Sequence, residues 1–347
     1  MTDRRLSPSP FPLPRRERIK GEGLRNFKYF WLVLLACSVF LFSKAASAET
    51  VTLAIPTKTF QNVVYPIAQE RGYMKEEGIE LKLVFIEPVP SVQALMAGSV
   101  QFTAAGASGL IGLAKSSVPV KVVVALNDRV HQWILTRPNI THPKDLKGRK
   151  IATTGVAAIA TFMLKQILAK HGIDGNKDVF YLDPGSGNQL TSLLTGVADA
   201  AVLSAEQRYA GLDAGMHELF YYGNEVKNSW GILATSDRII KERPKLVADF
   251  VRATLKGIRR FRQDRDGSIA AIVKFSGVDR GLATRVYDDL IGTFTSNGAV
   301  DDETQRNDLA IVRQVAGVNE TIPIARAYDF SFALDADQQL NRTGWRP

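Results

Sequence analysis

From Val51 onward the apolar positions come in short runs, each followed by a loop and then by a stretch with helical spacing. Val51–Ile55 is an apolar run of strand length. Val63–Arg71 repeats apolar residues at the three- and four-residue intervals of a helix and stops at Gly72. Glu80–Ile86 alternates as a strand, Ser91–Ala97 is a helix capped by Gly98, and Phe102–Ala105 is a strand of small residues. Leu110–Lys115 then reads as a helix and Val120–Leu126 as a nearly continuous apolar strand, the pattern of a strand covered on both faces.

A second series starts after Pro138. Lys150-Ile151-Ala152 leads a strand into Thr153-Thr154-Gly155, and Ala158–His171 is a helix closed by Gly172. Val179–Leu182, Gln189–Thr195, Ala200–Leu203 and Ala205–Asp213 continue strand, helix, strand, helix, and Ile232–Thr235 is a strand leading back out. The remainder is helical: Pro244–Arg262, Ser268–Phe275, Arg280–Phe294 and Asp302–Val315. The fold expected is α/β: two doubly wound lobes joined by two crossing strands near Trp133–Arg137 and Trp230–Thr235, with a helical C-terminal part. Residues 49–136 and 233–347 are assigned to lobe 1 and 137–232 to lobe 2. Gly98 and Gly196 are expected as left-handed helix caps, with Leu95 and Leu194 packed onto the sheets.

The chain has 347 residues and a formal charge of +9, which raises the question of nucleic acid. Residues 1–48 hold nine basic and three acidic residues, a net +6 of that +9, and no later basic run is long enough to track a phosphate backbone. That leader is instead a secretory signal, with Arg25 and Lys28 before an apolar stretch to Phe42, then Ala46-Ser47-Ala48 as a small-residue cleavage site. The run from Tyr29 to Phe42 falls short of the roughly 20 residues of a membrane span. Leu34-Leu35-Ala36-Cys37 has the form of a lipid-attachment site, but the apolar run continues past Cys37, which favours cleavage after Ala48 and a periplasmic product. Cys37 is the only cysteine, so the mature chain would have neither disulfide nor thiolate chemistry.

The usual marks of catalysis are missing. His131, His142, His171 and His217 are scattered, Gly106-Ala107-Ser108-Gly109 has its serine one place off a nucleophile elbow, and no phosphate-binding loop of the G-x-x-x-x-G-K type occurs. The acid pairs Asp264/Asp266 and Asp288/Asp289 sit in charge-rich helices and read as solvated faces. Neither an enzyme nor a cofactor or metal is expected.

Four segments carry a family likeness: Ala68–Tyr73 with Glu77-Gly78-Ile79-Glu80; Val92–Gly98 with Gln101-Phe102; Asp145–Ala152; and Leu190–Ala200. In this order and spacing the chain resembles the periplasmic solute-binding proteins of the nitrate/sulfonate/taurine uptake group, which includes binders of thiamine precursors. Where that group usually has an aspartate after Gly98, this chain has Gln101 nearby. The resemblance implies the type II periplasmic binding fold and delivery of a small-molecule ligand to the permease and ATPase subunits of an ABC importer. A monomer is expected. A thiamine-precursor binder, a sensor-associated binding protein and a same-fold enzyme are the alternatives.

Ligands in open α/β sheets bind beyond the carboxyl ends of the strands, so the candidate contacts are the loops there. They are Thr59, Phe60 and Gln61; Ser108; Asn127 and Arg129; Thr154, Gly155 and Val156; Ser186; Glu206; and Trp230. Helix N-termini with hydroxyls suit a sulfonate, a carboxylate or an aromatic acid. Ser186 serves equally as a helix cap. Arg129 equally faces solvent, and Phe60 is read as exposed from its polar neighbours. Trp133 is read as packing and Trp230 as facing the cleft.

Overall fold

The computed structural model describes residues 48–185 and 187–347, so the leader expected to be a signal, Cys37 and Ser186 lie outside the described residues. Apart from short helical turns, the elements in chain order begin with β1 (Glu49–Ile55), α1 (Val64–Glu70), β2 (Ile79–Phe85), α2 (Pro88–Ala97) and β3 (Phe102–Thr103). Then come α3 (Gly106–Ser116), β4 (Val120–Asn127), β5 (Trp133–Thr136), β6 (Lys150–Ala152), α4 (Ile159–Lys170) and β7 (Phe180–Leu182). Next are α5 (Gln189–Leu194), β8 (Ala200–Leu203), α6 (Ala205–Asp213), β9 (His217–Tyr221) and β10 (Trp230–Ser236). Helices α7 (Pro244–Gln263), α8 (Arg265–Ser276), α9 (Arg280–Leu290), α10 (Asp302–Ala316) and α11 (Ser331–Arg342) complete the chain.

The strands form two five-stranded sheets, ordered β2-β1-β3-β10-β4 and β7-β6-β8-β5-β9. Within each, four strands run in one direction and one, β10 or β5, runs antiparallel between two of them; through that strand the chain passes from one sheet to the other. The sheets are therefore mixed rather than purely parallel. The changeovers also fall earlier than expected. Trp133–Thr136 is fully paired between β8 and β9 of the second sheet, and Ile232 already belongs to the first. The chain changes sheets between Asn127 and Trp133 and again between Tyr221 and Trp230. The physical reason is burial: all four residues of β5 are buried, so it is an inner strand and not a connector.

Local signals explain most boundaries. Gly98 and Gly196 take the left-handed conformation expected of helix caps, at φ +81° and +78°. Leu95 is fully buried, but Leu194 is exposed and Leu193 takes the core position, one residue off the expected register. On β4 every residue except Lys121 is buried, as the continuous apolar run demands. The long helix α7 backs the first sheet, where Phe250 stacks on Phe102 at 4.1 Å. One helix is shared: α10 packs against α3 from the first lobe and α4 from the second. Among the described residues no helix is long and apolar enough to cross a membrane.

Candidate functional site

The carboxyl ends of β1 and β3, the start of β10 and the shared helix α10 meet around a cavity of about 280 Å³. Pro56, Gln61, Ala104, Ala105 and Ser108 line it from the first lobe, Ile159 and Met163 from α4 of the second. Ser229, Trp230, Gly231 and Ile232 form the β10 side, and Asp308, Ile311 and Val312 project from α10. Close packing of side chains on the Gly231 backbone sets this wall. Gly231 has φ +65°, and a Cβ there would stand 3.2 Å from Asn127 Oδ1.

Among the described residues of that wall Asp308 is the one ionisable group, and it is buried. Its Oδ1 accepts from Asn228 Nδ2 at 2.9 Å and from the Ser229 backbone N–H at 3.0 Å. Its Oδ2 accepts from Ser229 Oγ at 2.6 Å and from the Tyr328 hydroxyl at 3.2 Å. Burial raises the carboxyl's pKa against the lowering effect of those four bonds. The Tyr328 hydroxyl is also pushed well up, by burial and by the neighbouring carboxylate.

A second, larger groove of about 620 Å³ holds Asp128, Arg129, Lys170, Lys227, Asp301 and Glu303. Its charges are largely paired with each other: Lys227 bonds Asp301 at 2.8 Å and Glu303 at 2.5 Å, and Arg129 lies 3.8 Å from Asp128. Such a groove offers solvated ion pairs. The smaller cavity, walled mainly by carbon with a buried carboxylate, is the candidate site.

Of the residues singled out from the sequence, Gln61, Ser108 and Trp230 line this cavity. Asn127 stands directly behind it, paired with Trp230 in the β4–β10 ladder and wholly buried. Phe60 is a correction: it is buried and packs on His131 with ring centroids 5.4 Å apart. Its polar neighbours are turned to their own turn, where Asn62 Nδ2 donates to Thr57 O at 3.0 Å and to Thr59 Oγ1 at 3.4 Å. Arg129 is exposed and belongs to the other groove.

Thr154, Gly155 and Val156 lie outside the wall, the valine and threonine exposed. That loop satisfies itself, since the Gly155 N–H donates to Thr153 Oγ1 at 3.2 Å and Thr161 Oγ1 donates to Gly155 O at 2.6 Å. A Cβ on Gly155 would meet only Asp183 Oδ2, at 3.5 Å, although its φ of +128° disfavours other residues. Glu206, in the first turn of α6, is also absent from the wall. Trp133 packs as read from the sequence, stacked on Tyr221 at 4.8 Å.

Sequence reasoning missed Ser229, Asp308, Ile311 and Val312. The last three sit on one helical face of α10 at three- and four-residue spacing. An aspartate on the apolar face of a predicted helix was the available signal.

Beneath the cavity lies a buried knot. Thr293 Oγ1 gives its proton to Leu290 O at 2.7 Å, so it accepts from Asn127 Nδ2 at 3.3 Å and from His131 Nε2 at 2.6 Å. His131 therefore carries its proton on Nε2, and burial pushes its pKa down to about 3. No group of three or more His, Cys, Asp or Glu able to hold a metal occurs among the described residues.

The family model described as NMT1/THI5 like matches residues 60–267, more than half of the chain. The chain belongs to the NMT1/THI5-like family. It is 24% identical over 256 residues to the formylaminopyrimidine-binding protein of Halalkalibacterium halodurans, covering 70% of this chain and 75% of that one. The fold of this NMT1/THI5-like chain matches the periplasmic sulfonate-binding protein SsuA described for Methylobacillus flagellatus, with a TM-score of 0.71 at 16% identity, over 87% of this chain and 97% of that one. The desulfurization enzyme DSZB shares the fold at a TM-score of 0.60 and 15% identity, over 85% and 99% of the two chains. The structural neighbours include both binding proteins and an enzyme, and likeness at these identities establishes the fold. The family match stops before α10, so Asp308 lies outside it.

Proposed function

We propose that this chain is the extracytoplasmic solute-binding component of an ABC importer, working as a monomer, and that it captures a small flat organic solute without altering it. The observation that supports this most is the cavity between two sheets joined by two crossings, with walls from both lobes and from α10. Its volume of about 280 Å³ suits a single substituted ring. It lies just below the ~300–1,000 Å³ usual for ligand pockets. Neither histidine nor cysteine is among the described residues that line it.

The sulfonate, carboxylate or aromatic acid expected from the sequence finds no arginine, lysine or histidine among the described residues of this wall. A nitrogen-containing ring of the kind named for the formylaminopyrimidine-binding relative fits better, with Trp230 as the aromatic face. Capture would close the lobes about the two crossings, because a solute touching both binds the closed form more tightly. Delivery is proposed to be to permease and ATPase subunits outside this chain, and export is proposed to rest on the cleavable leader.

Native mass spectrometry of the exported protein tests the reading. A bound small molecule recovered chemically unchanged is the expected result. Turnover of that molecule by the isolated protein would overturn it.

A further inference from the structure

Ser229 and Asp308 meet on the cavity wall, hydroxyl to carboxylate. A carboxylate has about four acceptor positions, and four donors fill those of Asp308. All four donors are neutral: an amide, a backbone N–H and two hydroxyls. Among the described residues no cationic side chain pairs with Asp308, so its negative charge is hydrogen-bonded but not neutralised. Burial works against that charge, and the residue lines the cavity, where a bound cation would relieve it.

Ser229 passes this constraint to the ligand. Its hydroxyl has one proton, given to Asp308 Oδ2 at 2.6 Å, so only its lone pairs remain for a bound molecule. A hydroxyl that donates to a carboxylate is also a stronger acceptor. The polar edge presented to Ser229 must therefore be a donor. The surrounding wall of Ile159, Met163, Ile311 and Val312 keeps the local dielectric low, which strengthens the influence of the carboxylate.

We infer that the cavity selects an organic cation, a flat solute whose protonated nitrogen donates to Ser229 Oγ with Asp308 as its fixed counter-charge. This rests on the proposed binding function and adds the sign of the ligand's charge and the two residues that read it.

Calorimetric titration with three 4-aminopyrimidines tests it, the probes carrying an aminomethyl, hydroxymethyl or carboxylate group at the same ring carbon. The aminomethyl cation should bind the wild-type protein at least about tenfold more tightly than the hydroxymethyl compound, with the carboxylate weakest, a gap of about 1.4 kcal/mol per tenfold step. Asp308→Asn should bring the cation-to-neutral ratio close to one. Ser229→Ala should weaken cation and neutral compound together. Thermal unfolding checks that both variants fold, and the wild-type ratio decides the matter if Asp308→Asn does not. Carboxylate binding as tight as that of the cation, or an unchanged ratio in a folded Asp308→Asn protein, overturns the inference and leaves the binding function standing. If none of the three binds, the ring-nitrogen reading fails and the inference falls with it.

Discussion

A Cβ on Gly106 would stand 2.7 Å from the carbonyl oxygen of Ile232 and 2.8 Å from its Cγ1. The first turn of α3 thus rests directly on the β10 backbone, and both segments wall the cavity. Two opposing effects bear on Gly106→Ala. Helix propensity favours alanine by up to about 1 kcal/mol. Overpacking against backbone that cannot move aside costs about 1–3 kcal/mol. The clash should win, lowering stability by about 1–2 kcal/mol in urea unfolding and weakening solute binding as well. A more stable variant would show that β10 moves away freely.

Phe60 and Trp230 should separate stability from binding. Phe60 is buried against His131, so Phe60→Ala should cost about 3–5 kcal/mol of stability. Trp230 is half-buried on the cavity wall, so Trp230→Ala should lose tenfold or more in affinity with a smaller loss of stability. Paired melting curves and titrations check this, and the reverse ranking would place the solute elsewhere.

Acid should destabilise the protein through His131. Its folded pKa is about 3, against about 6.5 when unfolded. Between those values the unfolded chain binds a proton that the folded protein refuses, so stability falls as pH drops, by up to about 1.4 kcal/mol per unit. Above about pH 6.5 the effect is absent. His131→Gln should therefore show a flatter stability profile between about pH 6 and pH 4 than the wild type. Parallel profiles would mean that His131 titrates normally.

Glu77 anchors α7 to the turn that precedes β2. It accepts from Lys256 Nζ at 2.7 Å and is bonded by Arg252, with both the carboxylate and Lys256 largely buried. Burial alone would raise the Glu77 carboxyl, but the bonds and charges of Arg252 and Lys256 hold it below its ordinary value. Breaking a buried pair costs about 3–5 kcal/mol. Glu76 still faces Lys256 at 2.8 Å, so Glu77→Gln should fall near the lower end, read by denaturant unfolding. A loss below about 0.5 kcal/mol would be the behaviour of an exposed pair.

Processing should leave Glu49 as the first residue, since the expected cleavage follows Ala48 and β1 begins at Glu49. N-terminal sequencing of periplasmic material should read Glu-Thr-Val-Thr. A lipid-bearing chain beginning at Cys37 would contradict this.

The strand and helix order, the capping glycines and the two-sheet architecture were legible in the sequence, because they follow from local periodicity and from the φ angles that only glycine adopts readily. Strand β9, His217–Tyr221, was not legible, since it is only partly buried and lacks alternation. The changeover points were misplaced because β5 looks like a connector until its partners β8 and β9 are known.

At the site, Gln61, Ser108 and Trp230 were reached from the rule that ligands lie at strand ends, and that rule is local. Asp308 could not be reached in that way. It comes from α10, far along the chain, and only the packing of that helix between α3 and α4 sets its carboxylate against Ser229. Sequence periodicity determined which faces are buried and therefore the fold. The charge of the site was decided by tertiary packing alone, because a carboxylate's effect depends on which donors surround it and on how much water remains.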